Sequence, residues 1–269
     1  GHLLVIAGST GKSGAAAMTA VSAMRAGAGL VTLGIPESLN SIMETQVLEA
    51  MTAPLPECGY GVLADTAIDD IVKLADGKNC LAIGPGIGQA EKTRSLVKAV
   101  IRRIDMPIVI DADGLNNIAG QTQLLKKRKA PTVLTPHPGE MARLLECTTT
   151  QVQADRRSAL QSCYEEFKTP DSELVIVLKG SASLTTDGDM VWLNRTGNPA
   201  MAAGGMGDVL SGLVGSFICQ GLEPVDASRY GVYLHGLCGD NLQTRTGAGF
   251  TASELADELP AVLSTMMRD

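Results

Sequence analysis

Residues 3–35 read LLVIAGSTGKSGAAAMTAVSAMRAGAGLVTLGI. The stretch holds an apolar run from Leu3 to Ala7, an Ala-rich segment without Pro from Gly14 to Ala26, a Gly27-Ala28-Gly29 stop and a second apolar run from Leu30 to Ile35. Alanine favours helix and the trailing glycines supply a flexible C-terminal break, so the stretch predicts a βαβ unit. The apolar runs are continuous, which is the mark of strands buried on both faces in a parallel sheet covered by helices. Further runs occur at Cys80 to Ile83, Pro107 to Ile110, Thr132 to Leu134 and Leu174 to Leu178. Helices are predicted at Glu91 to Arg103, Gly139 to Glu146, Ala154 to Phe167, Gly207 to Gln220, Val225 to Asn241 and Ser253 to Met267, the last kinked or shortened by Pro260. Past the strand that ends at Lys179, the segment Ser183 to Asn194 alternates and contains Thr186-Asp187-Gly188-Asp189. Asp-Gly predicts a two-residue type I′ hairpin there, hence an antiparallel edge on an otherwise parallel sheet. The loop from Thr52 to Gly61 is too short to separate domains, so residues 1–269 are expected to form one α/β domain with helices on both faces of its sheet.

Composition narrows the function. The chain is 45% hydrophobic, enough for one large core, but only 3% aromatic and with a net charge of −7, so it lacks both the stacking residues and the basic surface of a nucleic-acid binder. Six dispersed cysteines form no C-x-x-C pair and predict reduced thiols in a cytoplasmic protein. No apolar run approaches the roughly 18 residues of a membrane span, and no membrane association is expected. The N-terminus carries no secretory signal, and its opening Gly1-His2, without Met, leads straight into a strand, as though cut from a longer product.

Three glycine-rich segments follow strands. Gly8-Ser9-Thr10-Gly11-Lys12-Ser13 imitates a phosphate-binding P-loop, but where that loop needs its first glycine the chain has Ile6, so the segment is better read as a strand-to-helix turn with Ser13 as N-cap. Gly84-Pro85-Gly86-Ile87-Gly88 imitates a dinucleotide fingerprint but has Gln89 in place of a further glycine; it is read as a close backbone approach to a ligand. The third, Asn-Pro-Ala-Met-Ala-Ala-Gly-Gly-Met-Gly-Asp-Val-Leu over 198–210, places Gly204, Gly205 and Gly207 directly before an apolar helix. Unobstructed amides and the helix N-terminus suit an anion hole, and Asp208 in the first turn would stand beside the bound phosphoryl group as a general base. The same residues also suit an ordinary helix cap.

Other strand ends carry chemistry to the same carboxyl edge of the sheet, where α/β folds bind ligands. Leu178-Lys179-Gly180-Ser181-Ala182-Ser183 suits a nucleotide phosphate, while Ile110-Asp111-Ala112-Asp113-Gly114-Leu115-Asn116 and Thr135-Pro136-His137-Pro138-Gly139-Glu140 supply polar clusters. His2 and His235 are read as structural.

Taken in order, these segments resemble the NAD(P)H-hydrate dehydratases, the carbohydrate-kinase-like branch of the ribokinase superfamily. The likeness runs through the opening His-Leu-Leu-Val-Ile-Ala-Gly-Ser, Arg25 to Val31, Gly84-Pro-Gly-Ile-Gly, Asp111-Ala-Asp-Gly-Leu-Asn, Thr135-Pro-His-Pro-Gly-Glu, Leu178-Lys-Gly and Gly204-Gly-Met-Gly-Asp-Val-Leu. It implies a ribokinase-like fold and a dehydration driven by ADP or ATP with Mg2+, in which phosphate is placed on the C6 hydroxyl of hydrated NADH or NADPH and then leaves. Carried over residue by residue, it gives Asp208 the role of base and Gly204, Gly205 and Gly207 the moving phosphoryl group. It implies Ala15, Gly86 and His137 as hydrate-binding positions, with Asp113 and Asn116 beside them, and Lys179, Gly180, Ser181, Ala182, Ser183 and Gly207 as nucleotide-binding ones. One departure stands out: Met206 occupies a position where the family usually has Thr or Ser. The likeness further implies a homo-oligomer, commonly a tetramer, and a fusion behind an epimerase domain. Two rival readings remain, a small-molecule kinase of the hydroxymethylpyrimidine or hydroxyethylthiazole type and a catalytically silent nucleotide sensor.

Overall fold

A computed structural model describes residues 1–266 of the chain. Its strands are β1 (His2–Ile6), β2 (Leu30–Pro36), β3 (Met51–Leu55), β4 (Cys80–Ile83), β5 (Ile108–Ile110), β6 (Thr132–Leu134), β7 (Leu174–Leu178), β8 (Leu184–Thr186) and β9 (Val191–Leu193). Its helices are α1 (Ser13–Arg25), α2 (Asn40–Gln46), α3 (Ile68–Ala75), α4 (Glu91–Arg103), α5 (Asp113–Ile118), α6 (Pro138–Leu144), α7 (Thr149–Ala154), α8 (Arg156–Phe167), α9 (Met206–Cys219), α10 (Pro224–Thr246) and α11 (Ala252–Met266). The strands form one sheet in the order β3-β2-β1-β4-β5-β6-β7-β8-β9, parallel from β3 to β7 and antiparallel from β7 to β9.

Alternation within each buried strand feeds two cores. In β1, Leu3 and Val5 join the cluster packed with α1, α9, α10 and α11, while Leu4 and Ile6 join the cluster under α3, α4, α5, α6 and α8. All four are fully buried, and each such side chain stabilises the fold by about 1.5–3 kcal/mol. The strand order reverses between β1 and β4, which opens a crevice at their carboxyl ends. Gly8 and Gly84, both at positive φ, leave the sheet there, and the Gly8 N–H donates to the Pro85 carbonyl at 2.8 Å.

Several local expectations are corrected. The segment read as the Thr52 loop contains the edge strand β3; Pro54 is tolerated because one side of β3 has no neighbour. The β8–β9 connection is a four-residue turn, 187–190, rather than a two-residue type I′ turn: only Gly188 has positive φ, and the Asp187 carboxylate accepts from the Asp189 and Met190 amides. Ser13 is the first helical residue of α1, not its cap; Lys12 occupies the cap position without a side-chain hydrogen bond. The helix expected over 154–167 begins at Arg156 after a break from α7, where Asp155 caps it through the Ser158 amide. Helix α11 runs through Pro260 as far as Met266, the last described residue, so the expected end at Met267 lies outside the described residues. No helix among the described residues is long and apolar enough to cross a membrane.

Helices α1 and α9 meet so closely that a Cβ on Gly212 would stand 2.2 Å from both the Ser22 Oγ and the Thr19 carbonyl oxygen. A mid-helix Gly→Ala change ordinarily stabilises by up to ~1 kcal/mol. Here the sign is reversed: Gly212→Ala is expected to destabilise by about 1–3 kcal/mol through overpacking, measured as a lower midpoint in urea unfolding.

Candidate functional site

Helix α9 starts in an unusual way. Gly205 occupies its N-cap at φ 90, a left-handed conformation, and a Cβ there would lie 2.4 Å from the Met18 Sδ and 2.9 Å from the Ala252 Cβ. Only glycine meets both demands. The helical ladder begins with the Val209 N–H donating to the Gly205 carbonyl, so the amides of Met206, Gly207 and Asp208 stand ahead of it at the positive end of the helix dipole. Gly204 is exposed with open space around its Cα. Met206 packs into the core at 5% exposure, and its carbonyl pairs with the His235 Nε2 at 2.9 Å. Burial holds that imidazole neutral, with its pKa lowered to about 4, so Nε2 carries the proton and donates.

Beneath this turn lies a charged cluster. The Lys179 ammonium at the end of β7 contacts the Asp111 Oδ1, comes within 3.7 Å of the Glu140 Oε2, and would lie 3.2 Å from a Cβ on Gly207. Burial opposes its charge, but Asp111 and Glu140 outweigh that and raise its pKa. Ser211, one helical turn after Gly207, donates to the Asp111 Oδ2 at 2.7 Å. Glu140 belongs to a capping box: its Oε2 accepts from the His137 N–H, while the His137 Nδ1 accepts from the Gly139 and Glu140 amides. The His137 pKa is lowered by burial and by Lys179. Burial raises the Glu140 carboxyl despite Lys179.

Asp208 is half-buried beside this cluster, and its pKa is raised to about 7 by burial first and then by the Asp111 charge, with Lys179 working in the opposite sense and Glu140 and Asp113 adding to the rise. A carboxyl so placed takes and gives a proton near neutrality.

The sequence-derived positions fall into two groups, and Asp208 feels charges from both, Lys179 in one and Asp113 in the other. Lys179, Gly180, Ser181, Ala182, Ser183 and Gly207 line a cavity of about 500 Å³, with His137 also at its wall. Met206, His235, Asn194 and Thr196 also line it. The second group lies at the β1/β4 crevice. A Cβ on Gly86 would meet the Ala15 Cβ at 3.0 Å. Asp113 accepts from Lys12 at 2.9 Å, from the Gly88 amide at 3.0 Å, from Gln89 at 2.8 Å and from Asn116 at 3.2 Å. Burial works against the Asp113 charge, yet Lys12 and Gln89 bring its pKa below the usual carboxylate range. Between the two Asp residues, Ala112 sits at φ 49, ψ −122, a costly conformation that sends Asp111 and Asp113 to different partners.

Sequence reasoning does not single out Ser211, Lys12 or the Asn194 and Thr196 walls. The Gly207-to-Ser211 spacing of one helical turn is a readable signal for the first. His235, read as structural, does hold the Met206 carbonyl but also lines the cavity.

Among the described residues, no group of three His, Cys, Asp or Glu side chains is arranged to hold a metal ion. The Asp111 oxygens are taken by Lys179 and Ser211, and a Glu140 oxygen by the His137 amide. Such a donor set fits a magnesium ion carried mainly on nucleotide phosphates and water, with Asp208 and Glu140 as the nearby negative groups.

Comparison with known proteins agrees with the fold. Residues 3–261 match the family model described as NAD(P)H-hydrate dehydratase. A bifunctional NAD(P)H-hydrate repair enzyme of Moorella thermoacetica is 40% identical over 99% of this chain and 50% of its own length, and its Escherichia coli counterpart is 32% identical over 100% and 48%. The chain thus spans about half the length of the curated relatives it matches. The structure superposes with a TM-score of 0.81 on the ADP/ATP-dependent NAD(P)H-hydrate dehydratase of Bacillus subtilis co-crystallised with ATP and Mg2+, at 33% identity over 98% of this chain and 89% of that one. With free amides at the start of α9, a polar cluster at the β1/β4 crevice and a family match along almost its whole length, the chain belongs to the NAD(P)H-hydrate dehydratase family.

Proposed function

We propose that the chain uses ADP or ATP, with Mg2+, to dehydrate hydrated NADH or NADPH back to the reduced dinucleotide. The observation that carries this reading is a carboxyl raised to about 7, Asp208, in the first turn after a run of free amides, where it feels the charge both of Lys179, which lines the nucleotide-sized cavity, and of Asp113 in the second polar cluster. The nucleotide lies in the cavity with its phosphates toward Lys179 and the 204–207 turn. The dinucleotide hydrate lies in the crevice of Ala15, Gly86, Asp113 and Asn116, with His137 at the boundary.

In this reading Asp208 accepts the proton of the C6 hydroxyl as that oxygen bonds to the terminal phosphorus. The bond from phosphorus to the leaving ADP or AMP oxygen breaks, and the amides before α9 stabilise the charge that builds on the phosphoryl oxygens. Phosphate then leaves C6 with its bonding pair, and loss of a proton from the adjoining carbon restores the ring double bond. Magnesium, when bound, shields the phosphate charge. Met206 offers no hydroxyl to the phosphate, and its amide remains in the turn. The same reading takes residues 1–269 as one catalytic domain working as a cytoplasmic homo-oligomer, fused behind an epimerase domain as the family resemblance implies.

Purified protein given NADH hydrate, Mg2+ and either nucleotide is expected to restore the absorbance of reduced nicotinamide; nucleotide binding without recovery would instead mark a silent sensor. Asp208→Asn is expected to retain nucleotide binding and to lose about 10²-fold or more in turnover, the scale of a general base.

Because an acceptor of protons must be ionised, turnover in the wild type is expected to rise with pH through about 7 and then level; this step is absent from the residual activity of Asp208→Asn. Stability has the opposite sign. The folded carboxyl titrates above its ordinary 3.8, so the fold favours the protonated form. The resulting penalty is absent below about pH 4, where both states are protonated, and complete above about pH 7. Asp208→Asn is therefore expected to raise the unfolding free energy at about pH 8 by at most about 4 kcal/mol, seen as a higher urea midpoint, and to leave the midpoint unchanged at about pH 3.

A further inference from the structure

At the opposite end of the sheet, near the amino ends of β5 and β6, lies a cavity of about 740 Å³, larger than the one at the carboxyl edge. Arg102 and Asp105 from the end of α4 and its following loop line it, together with Gln121 to Leu124 and Lys127, Arg128 and Lys129 from the segment before β6. Four cations and one carboxylate in one concavity stand out in a chain of net charge −7.

The anomaly is Arg128. It is 5% exposed, yet its guanidinium has no carboxylate within ion-pair distance among the described residues. Its Nε donates to the Thr132 Oγ1 at 3.0 Å, its Nη1 to the Ile101 and Ile104 carbonyls at 2.9 Å each, and its Nη2 to the Met106 carbonyl at 2.7 Å. These four bonds close the end of α4 and tie it to β6. They leave one of the five guanidinium N–H groups without an acceptor among the described residues, and they leave the charge without a counter-ion. Burial accordingly lowers its pKa to about 10, with Asp105 the main group opposing that. Buried charges are normally paired, because desolvation costs several kcal/mol that neutral carbonyls only partly offset. The remaining cations of the cavity, Arg102, Lys127 and Lys129, are exposed and make no ion pair among the described residues.

We infer that this cavity binds a small oxyanion of two or more negative charges, the phosphate-bearing portion of a small molecule, with Arg128 as its buried floor and Arg102, Lys127 and Lys129 around its rim. The site is separate from the carboxyl-edge pocket, since the two share no lining residue. It does not depend on the proposed reaction: it stands whatever chemistry occurs at Asp208.

Inorganic pyrophosphate serves as the probe. A crystal structure of the full chain soaked in it should show density within hydrogen-bond distance of Arg128 or of the rim cations. The triple variant Arg102→Ala/Lys127→Ala/Lys129→Ala should lose that density and at least about tenfold in calorimetric affinity for this site, equal to about 1.4 kcal/mol. Any pyrophosphate bound at the Lys179 edge should persist and so report an intact fold. Asp105→Asn, which removes the lone carboxylate of the lining, should tighten binding by roughly threefold, the size of an exposed charge interaction. Absence of density at the cavity, affinity untouched by the triple variant, or a Kd weaker than about 1 mM, the mark of an adventitious ion only, would each overturn the proposal.

Discussion

The Lys179 ammonium organises the carboxyl edge of the sheet. Asp111, Glu140 and Asp208 come from the ends of three different elements, and without a cation among them their mutual repulsion would oppose the fold. Lys179 pairs directly with Asp111 and lies 3.7 Å from Glu140. The third, Asp208, is left with burial and neighbouring negative charge outweighing the help it receives, so it titrates near neutrality. The arrangement resembles a structural ion pair that keeps one acid out of balance. Breaking the Lys179–Asp111 contact would cost more than a surface pair, because either partner alone would be a buried charge.

The turn before α9 is constrained in a similar way. Gly205, with its left-handed backbone and no room for a side chain, fixes where the free amides point, while Met206 anchors the turn into the core and His235 restrains its carbonyl. Pre-arranged dipoles of this kind stabilise developing charge without reorganising when it appears. The stability forgone at Asp208 is offset by the two continuous cores on either face of the sheet.

Much of this is legible in the chain, for definite reasons. The parallel strands can be read because burial on both faces leaves continuous apolar runs, as in LLVI and LVIVL. Strand β3 cannot, because an edge strand needs neither a continuous apolar run nor a free N–H at Pro54. The type of the β8–β9 turn escapes the Asp-Gly rule because the Asp187 side chain, rather than its backbone angle, closes the turn. The glycine turn at 204–207 announces itself by composition. The pairing of Asp111 with Lys179 does not, since 68 residues separate them and only the strand order brings their ends together. The unbalanced Arg128 is equally hidden within the run Lys126 to Lys129, which from sequence is an ordinary solvated cluster.

Met206 shows how a change in one atom type alters what a position demands. Where the resemblance leads one to expect a hydroxyl, this chain carries a thioether that fills interior space between α9 and its neighbours. The position serves by its volume. A Thr or Ser at 206 would therefore open a void under the 204–207 turn instead of simply adding a hydrogen bond, whereas a Leu of similar bulk would keep the turn seated.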